Sequence, residues 1–235
     1  MFEEFSKRNR AISAAMALAA SNDWGDVTLA AIARQANLDL SDLRRDFACK
    51  DAILRAFQAE VDAEVLAKAK PVSDGDSVRD RVFETLMTRF EILTPYRPAL
   101  KRITRYLRCH PGEAAMFACS RLTSQYWMLA RAGARLNGPS AAVRVAGLAA
   151  IYGKAFNVWL EDDSPSLDKT MATLDRGLGN GERTLHTMES VCRTMESVCG
   201  TVCGFVRGSK RNDKSKDEPK DRPAPDEGAP VPAPV

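Results

Sequence analysis

Between Val27 and Lys50 the chain reads VTLAAIARQANLDLSDLRRDFACK, and this apolar pattern, interrupted once at Asn37, admits little except two short helices joined by a tight turn. Thr28 suits a helix cap, because its hydroxyl accepts from the free amides of the first turn. Leu29, Ile32, Ala33 and Ala36 follow at i, i+3, i+4 and i+7, one apolar face. Asn37-Leu38-Asp39 supplies the turn, since Asn tolerates the left-handed backbone that a three-residue turn needs. Ser41 or Asp39 is placed to cap the second helix, with Leu43 and Phe47 on its buried side and Arg44 and Arg45 outward. Two helices in this order are the layout of a helix-turn-helix, whose second helix enters the DNA major groove.

Periodicity, caps and prolines extend the helical reading. A first helix covers about 5–21, the helix-turn-helix about 28–47, and a fourth helix about 50–69, stopped by Pro71. A fifth helix starts near Ser77, with Val82, Leu86, Phe90 and Leu93 on one stripe. Pro95 and Pro98 break or restart the chain. A sixth helix then runs to about Cys109, and Pro111 opens a seventh that ends near Gly133. A strongly apolar eighth helix is expected at about 140–160. Ser164-Pro165, a cap followed by proline, marks the start of a ninth, which fades at the glycines from Gly177 to Gly181. The expected fold class is all-α.

The amino-terminal segment resembles the DNA-binding domain of TetR-type repressors over roughly residues 8–58. Ala11-Ile12-Ser13-Ala14-Ala15 is similar to their first helix, and Asp23-Trp24-Gly25-Asp26-Val27-Thr28 to the turn that follows. Ile32-Ala33 and Leu38 match core positions, while Leu43, Phe47 and Lys50-Asp51-Ala52-Ile53-Leu54 match the segment leading into a long fourth helix. Asn37 stands where the family usually has glycine, and Arg44 where it usually has a phosphate-contacting tyrosine. The resemblance implies a TetR-like fold: a helix-turn-helix domain over 1–58 and a helical ligand-binding and dimerisation bundle over 59–181. It also implies double-stranded DNA as a partner, with Thr28, Ser41, Asp42, Arg44, Arg45 and Lys50 as the candidate contacts.

Charge complicates that expectation. DNA affinity depends largely on neutralising phosphates, yet residues 1–58 hold eight basic and eight acidic residues, while 79–135 hold eleven basic against four acidic. Lys101, Arg102, Arg105 and Arg108 share one side of the sixth helix, either as a solvated face or as a contact for anions or a membrane surface. No apolar run reaches the ~18 residues of a membrane span. The charged start MFEEFSKRNR lacks the apolar core of a signal peptide. Six scattered cysteines, without a CxxC pair, and two histidines argue for reduced thiols in a cytoplasmic protein and against a metal site. No catalytic residues and no cofactor are expected, since the chain has no glycine-rich phosphate loop and no nucleophile with a base.

Phe90, Tyr126, Trp127, Tyr152 and Phe156 are the candidate ligand-binding residues. They either pack as core or line a pocket for a small lipophilic ligand, since ligand sites in bundles form between helices. Near the end, Thr187–Cys192 (TMESVC) is repeated as Thr194–Cys199, so that Met188, Met195 and Val202 fall on one stripe with Phe205 beside it. An amphipathic helix over 182–207 is expected, docked on its own bundle, on a second subunit or on a membrane. Residues 208–235, rich in mixed charge and proline, are expected to be a disordered tail.

Two functions follow. One is a ligand-responsive homodimeric TetR-like regulator. The other arises from Asp80-Arg81-Val82, Leu93-Thr94-Pro95-Tyr96-Arg97, Trp159–Ser164 and Leu174-Asp175-Arg176, which resemble the TetR-like lipid-binding accessory proteins of ubiquinone biosynthesis. That resemblance implies a protein that no longer binds DNA and docks peripherally on the membrane through Lys101, Arg102, Arg105 and the helix bearing Met188, Met195, Val202 and Phe205.

Overall fold

The computed structural model describes residues 6–68, 75–138 and 140–183, apart from the side chains of residues 116 and 118. The duplicated segment, the tail and their candidate contacts Met188, Met195, Val202 and Phe205 lie outside the described residues. Among those described there are nine α-helices and no strand. The helices are α1 (Lys7–Ser21), α2 (Leu29–Gln35), α3 (Leu40–Asp46), α4 (Lys50–Lys68), α5 (Val78–Leu93), α6 (Arg97–Cys109), α7 (Pro111–Arg131), α8 (Ser140–Trp159) and α9 (168–183).

Local chemistry starts and stops most of them as the sequence predicts. Ser6 and Ser77 cap α1 and α5 by accepting from the amides of Asn9 (3.0 Å) and Asp80 (3.1 Å); such caps contribute about 1 kcal/mol each. A single 3-10 turn, Thr94–Tyr96, bridges α5 and α6 where the two prolines fall. Gly133 ends α7 with φ +73°, a left-handed conformation that glycine adopts without a steric cost.

Helix α1 buries Ala11, Ile12, Ala14, Ala15, Met16 and Ala19. Its small side chains allow close approach, and it packs most extensively on α6, with α2, α3 and α4 around it. Helix α4 carries Ile53, Leu54, Ala56, Phe57, Val61 and Val65 inward without interruption and packs on α5 and α7. The expected boundary after residue 58 therefore falls inside one continuous helix. Val82, Leu86, Phe90 and Leu93 of α5 are all buried, as their stripe predicts.

The ninth helix departs from expectation at both ends. Ser164-Pro165 does not begin it. Leu167 turns through φ +56°, the Ser164 hydroxyl accepts from the Asp168 amide at 3.0 Å, and the helix starts there. Nor do the glycines end it, since it continues through residue 183. A Cβ on Gly177 would stand 2.7 Å from Ile151 Cγ2, and one on Gly181 3.1 Å from Ile151 Cδ1. These glycines admit α8 at close range; they are packing residues here and not helix breakers.

Candidate nucleic-acid interface and ligand cavity

The Thr28 hydroxyl accepts from the Ala31 amide at 3.1 Å and fixes the start of α2. Asn37 takes φ +52°, and the Leu38 amide closes the turn on the Ala33 carbonyl at 2.9 Å. Asp39 occupies the cap position of α3, but its side chain makes no capping bond, and Ser41 lies inside the first turn. Neither predicted side-chain cap forms; the Asp39 backbone carbonyl starts the helix by accepting from Asp42 and Leu43. Leu43 and Phe47 are buried. Leu40, Ser41, Arg44 and Arg45 are left exposed, as helical spacing requires of positions 40, 41, 44 and 45.

The six candidate DNA contacts divide. Thr28, Ser41, Arg44 and Arg45 are on the exterior. Asp42 is tied to Lys7 at 2.8 Å and to Arg45 at 3.3 Å. The Lys7 hydrogen bond, outweighing partial burial, holds its carboxyl below the usual aspartate value. Arg44 has no carboxylate partner among the described residues. Lys50 is turned inward: its ammonium donates to the Trp24 carbonyl at 2.6 Å and sits 4.7 Å from the Trp24 ring centre and 5.5 Å from that of Tyr106. Loss of hydration lowers its pKa. Lysine at this position serves the junction beneath the helix-turn-helix instead of its outer face. Leu40, which sequence reasoning passed over, is 55% exposed on α3. An apolar group there suits contact with a thymine methyl in the major groove.

The same junction contacts the bundle through α6. The Tyr106 ring lies against Gly25, where a Cβ would stand 3.1 Å from Tyr106 Cε2. The Tyr106 hydroxyl donates to Glu113 at 2.9 Å, and its ring stacks on His110 with centres 3.9 Å apart. The next two residues, Leu107 and Arg108, line a cavity on the other side of α6.

That cavity has a volume of about 370 Å³ and is lined from α4, α5, α6, α7 and α8. Its walls are mainly apolar, with Leu54, Phe57, Val61, Leu93, Ile103 and Phe117 among them. Of the candidate ligand residues, Tyr152 and Phe156 line it. Phe90 does not; it stacks behind Tyr152 with ring centres 5.5 Å apart. Tyr126 and Trp127 are also outside the cavity, 43% and 50% exposed. The reason is helical phase: Phe117, Arg121 and Gln125 of α7 face inward at four-residue intervals, and the next two residues are rotated by about 100° and 200°. Arg89, Arg121 and Gln125 were not expected at a site, and Arg108 was expected only on an outer basic stripe; they come from three different helices, and only Arg121 and Gln125, four apart on α7, share a local spacing.

Arg89 is fully buried and paired with Asp62, and its Nε donates to the Tyr152 hydroxyl at 3.1 Å. Ser124 donates to the same Asp62 oxygen at 2.7 Å. Burial works against the Arg89 charge, but Tyr152 and Asp62 outweigh it and keep the guanidinium protonated.

The basic side chains of α6 do not form the single free stripe that spacing suggested. Lys101 is bound to Glu161 at 2.5 Å, Arg102 approaches Asp23 at 3.4 Å, and Arg108 donates to Asn157 at 2.9 Å. Arg105 is exposed. The acidic run 161–163 also divides. Asp162 is buried and accepts from the amides and hydroxyls of both Ser164 and Thr170, while its carbonyl accepts from Arg97. Burial alone would raise its pKa; these four hydrogen bonds win and hold the carboxyl far below the usual carboxylate range. No helix among the described residues is long and apolar enough to cross a membrane.

No family model matches the chain, and no curated protein matches it in sequence. Solved structures do. A TetR transcriptional regulator from Nitrosomonas europaea ATCC 19718 superposes with a TM-score of 0.61 at 22% identity, covering 75% of this chain and 98% of that one. A TetR transcriptional regulator from Rhodococcus sp. RHA1 superposes with a TM-score of 0.54 at 17% identity, covering 76% and 97%. The chain has the all-α fold of TetR transcriptional regulators.

Proposed function

We propose that the protein is a TetR-like DNA-binding transcriptional regulator, acting as a homodimer and responding to a small lipophilic ligand in the α4–α8 cavity. The observation that carries this reading is the outward face of α3, where Leu40, Ser41, Arg44 and Arg45 are exposed on a helix anchored by Leu43. Arg44 and Arg45 supply the phosphate or base-edge contacts, Thr28 and Ser41 supply hydroxyl donors to phosphate, and Leu40 an apolar contact to thymine. The even charge balance of residues 1–58 is less adverse than it looks, because Asp23 is matched by Arg102 of α6, a basic residue from outside that segment. The lipid-accessory alternative drew on a free basic face of α6, and Lys101 and Arg102 are instead occupied by Glu161 and Asp23.

A mobility-shift titration with the DNA upstream of the protein's own gene tests the reading. Wild type is expected to bind with a steep salt dependence. The double variant R44A/R45A should bind more weakly, with the slope of log K against log salt reduced by about one unit for each phosphate no longer neutralised. Equal binding by the double variant would remove α3 from the reading surface. Sedimentation at twice the monomer mass is the accompanying expectation for a dimer.

A further inference from the structure

The α4–α8 cavity contains a charge pattern that an apolar ligand alone does not explain. Three guanidinium groups line it, from Arg89, Arg108 and Arg121, and no acidic residue does. Arg89 is neutralised by Asp62. Arg108 has only the neutral amide of Asn157, at 2.9 Å, and neither it nor Arg121 has a carboxylate partner among the described residues. The two groups meet the same stretch of α8. Arg121 Nη2 lies where a Cβ on Gly153 would be 3.2 Å away, and Arg108 binds Asn157, four residues further on. Residues four apart on a helix are separated by about 5–6 Å, so two unmatched cations bracket one turn of α8 at the cavity edge.

The volume, about 370 Å³, is at the small end of ligand cavities, ~300–1,000 Å³. That suits one chain or ring system and not a two-chain lipid.

We propose that the cavity takes an amphiphilic carboxylic acid, its apolar body against Leu54, Phe57, Val61 and Phe156 and its carboxylate held jointly by Arg108 and Arg121. Guanidinium–carboxylate pairs are the strong, geometrically selective form of hydrogen bond. Such an acid's role as an effector rests on the regulator reading above; its binding does not.

The test uses full-length protein and calorimetric titration at pH 8 with two matched pairs: decanoate against 1-decanol, and 2-naphthoate against 2-naphthylmethanol. Wild type should prefer the acid of at least one pair by tenfold or more. R108Q and R121Q should each reduce that preference, and R108Q/R121Q should reduce it to within about twofold, with R105Q on the exposed face of α6 as the control. Thermal melts of each variant establish folding, and the single variants decide the matter if the double variant does not fold. Failure of all four compounds to bind, equal binding of acid and alcohol, or a preference that survives both single variants would each overturn the proposal. Upstream DNA binding is measured separately, so that loss of the acid preference and loss of the regulator reading remain distinct results.

Discussion

Asp162 illustrates how much a single buried charge can do in this fold. Its carboxylate joins the end of α8 to α9 through Ser164 and Thr170. Because its folded pKa lies below the unfolded value of about 3.9, it adds stability at all pH above that value. The contribution is lost progressively as the pH falls below about 4, where the unfolded chain takes up the proton first. D162N replaces an acceptor-only group with one that presents an N–H₂ donor to the backbone amide of either Ser164 or Thr170. It should cost about 1–3 kcal/mol in urea unfolding at pH 7, and the gap to wild type should narrow below pH 4. A gap independent of pH would mean that the charge contributes nothing.

At the scale of the element, the glycines of α9 set how closely α8 approaches. G177A should destabilise by roughly 1–3 kcal/mol, as overpacking does, and I151A should recover part of the loss in the double variant. Additive losses in that cycle would show that the 2.7 Å approach to Ile151 Cγ2 is not what glycine accommodates. The same helix marks the limit of what the sequence disclosed. Caps and turns are local, so Thr28, Ser77, Asn37 and the stripe of α5 were all legible. Gly177 and Gly181 read as a stop because their partner, Ile151, is on another helix. Tyr126 and Trp127 looked like ligand residues because aromatic content was visible and helical phase relative to the cavity was not. Lys50 looked like a DNA contact because nothing in its own segment reveals that Trp24 and Tyr106 enclose it. Arg108 and Arg121 became a pair only once α6 and α7 were brought to the same turn of α8. A free valence at a site assembled from distant helices has no period to betray it.

For the whole molecule, the decisive arrangement is that α6 is a wall shared by two compartments. Leu107 and Arg108 face the cavity, while Tyr106 bears on Gly25 and stands beside Lys50 under the helix-turn-helix. G25A should press on Tyr106, where the added Cβ would meet Cε2 at 3.1 Å. Its expected signature is a change in DNA affinity together with a change in acid affinity, though Gly25 lines no part of the cavity. An effect on neither would mean that the ring yields without moving α6. A shared wall also imposes a thermodynamic symmetry. If an acid in the cavity changes operator affinity by some factor, operator DNA must change acid affinity by that same factor. Couplings of this kind are typically 5–150-fold. The genomic site would then set the sensitivity of the sensor: a copy seated on DNA and a copy free in solution would respond at different concentrations of the same acid.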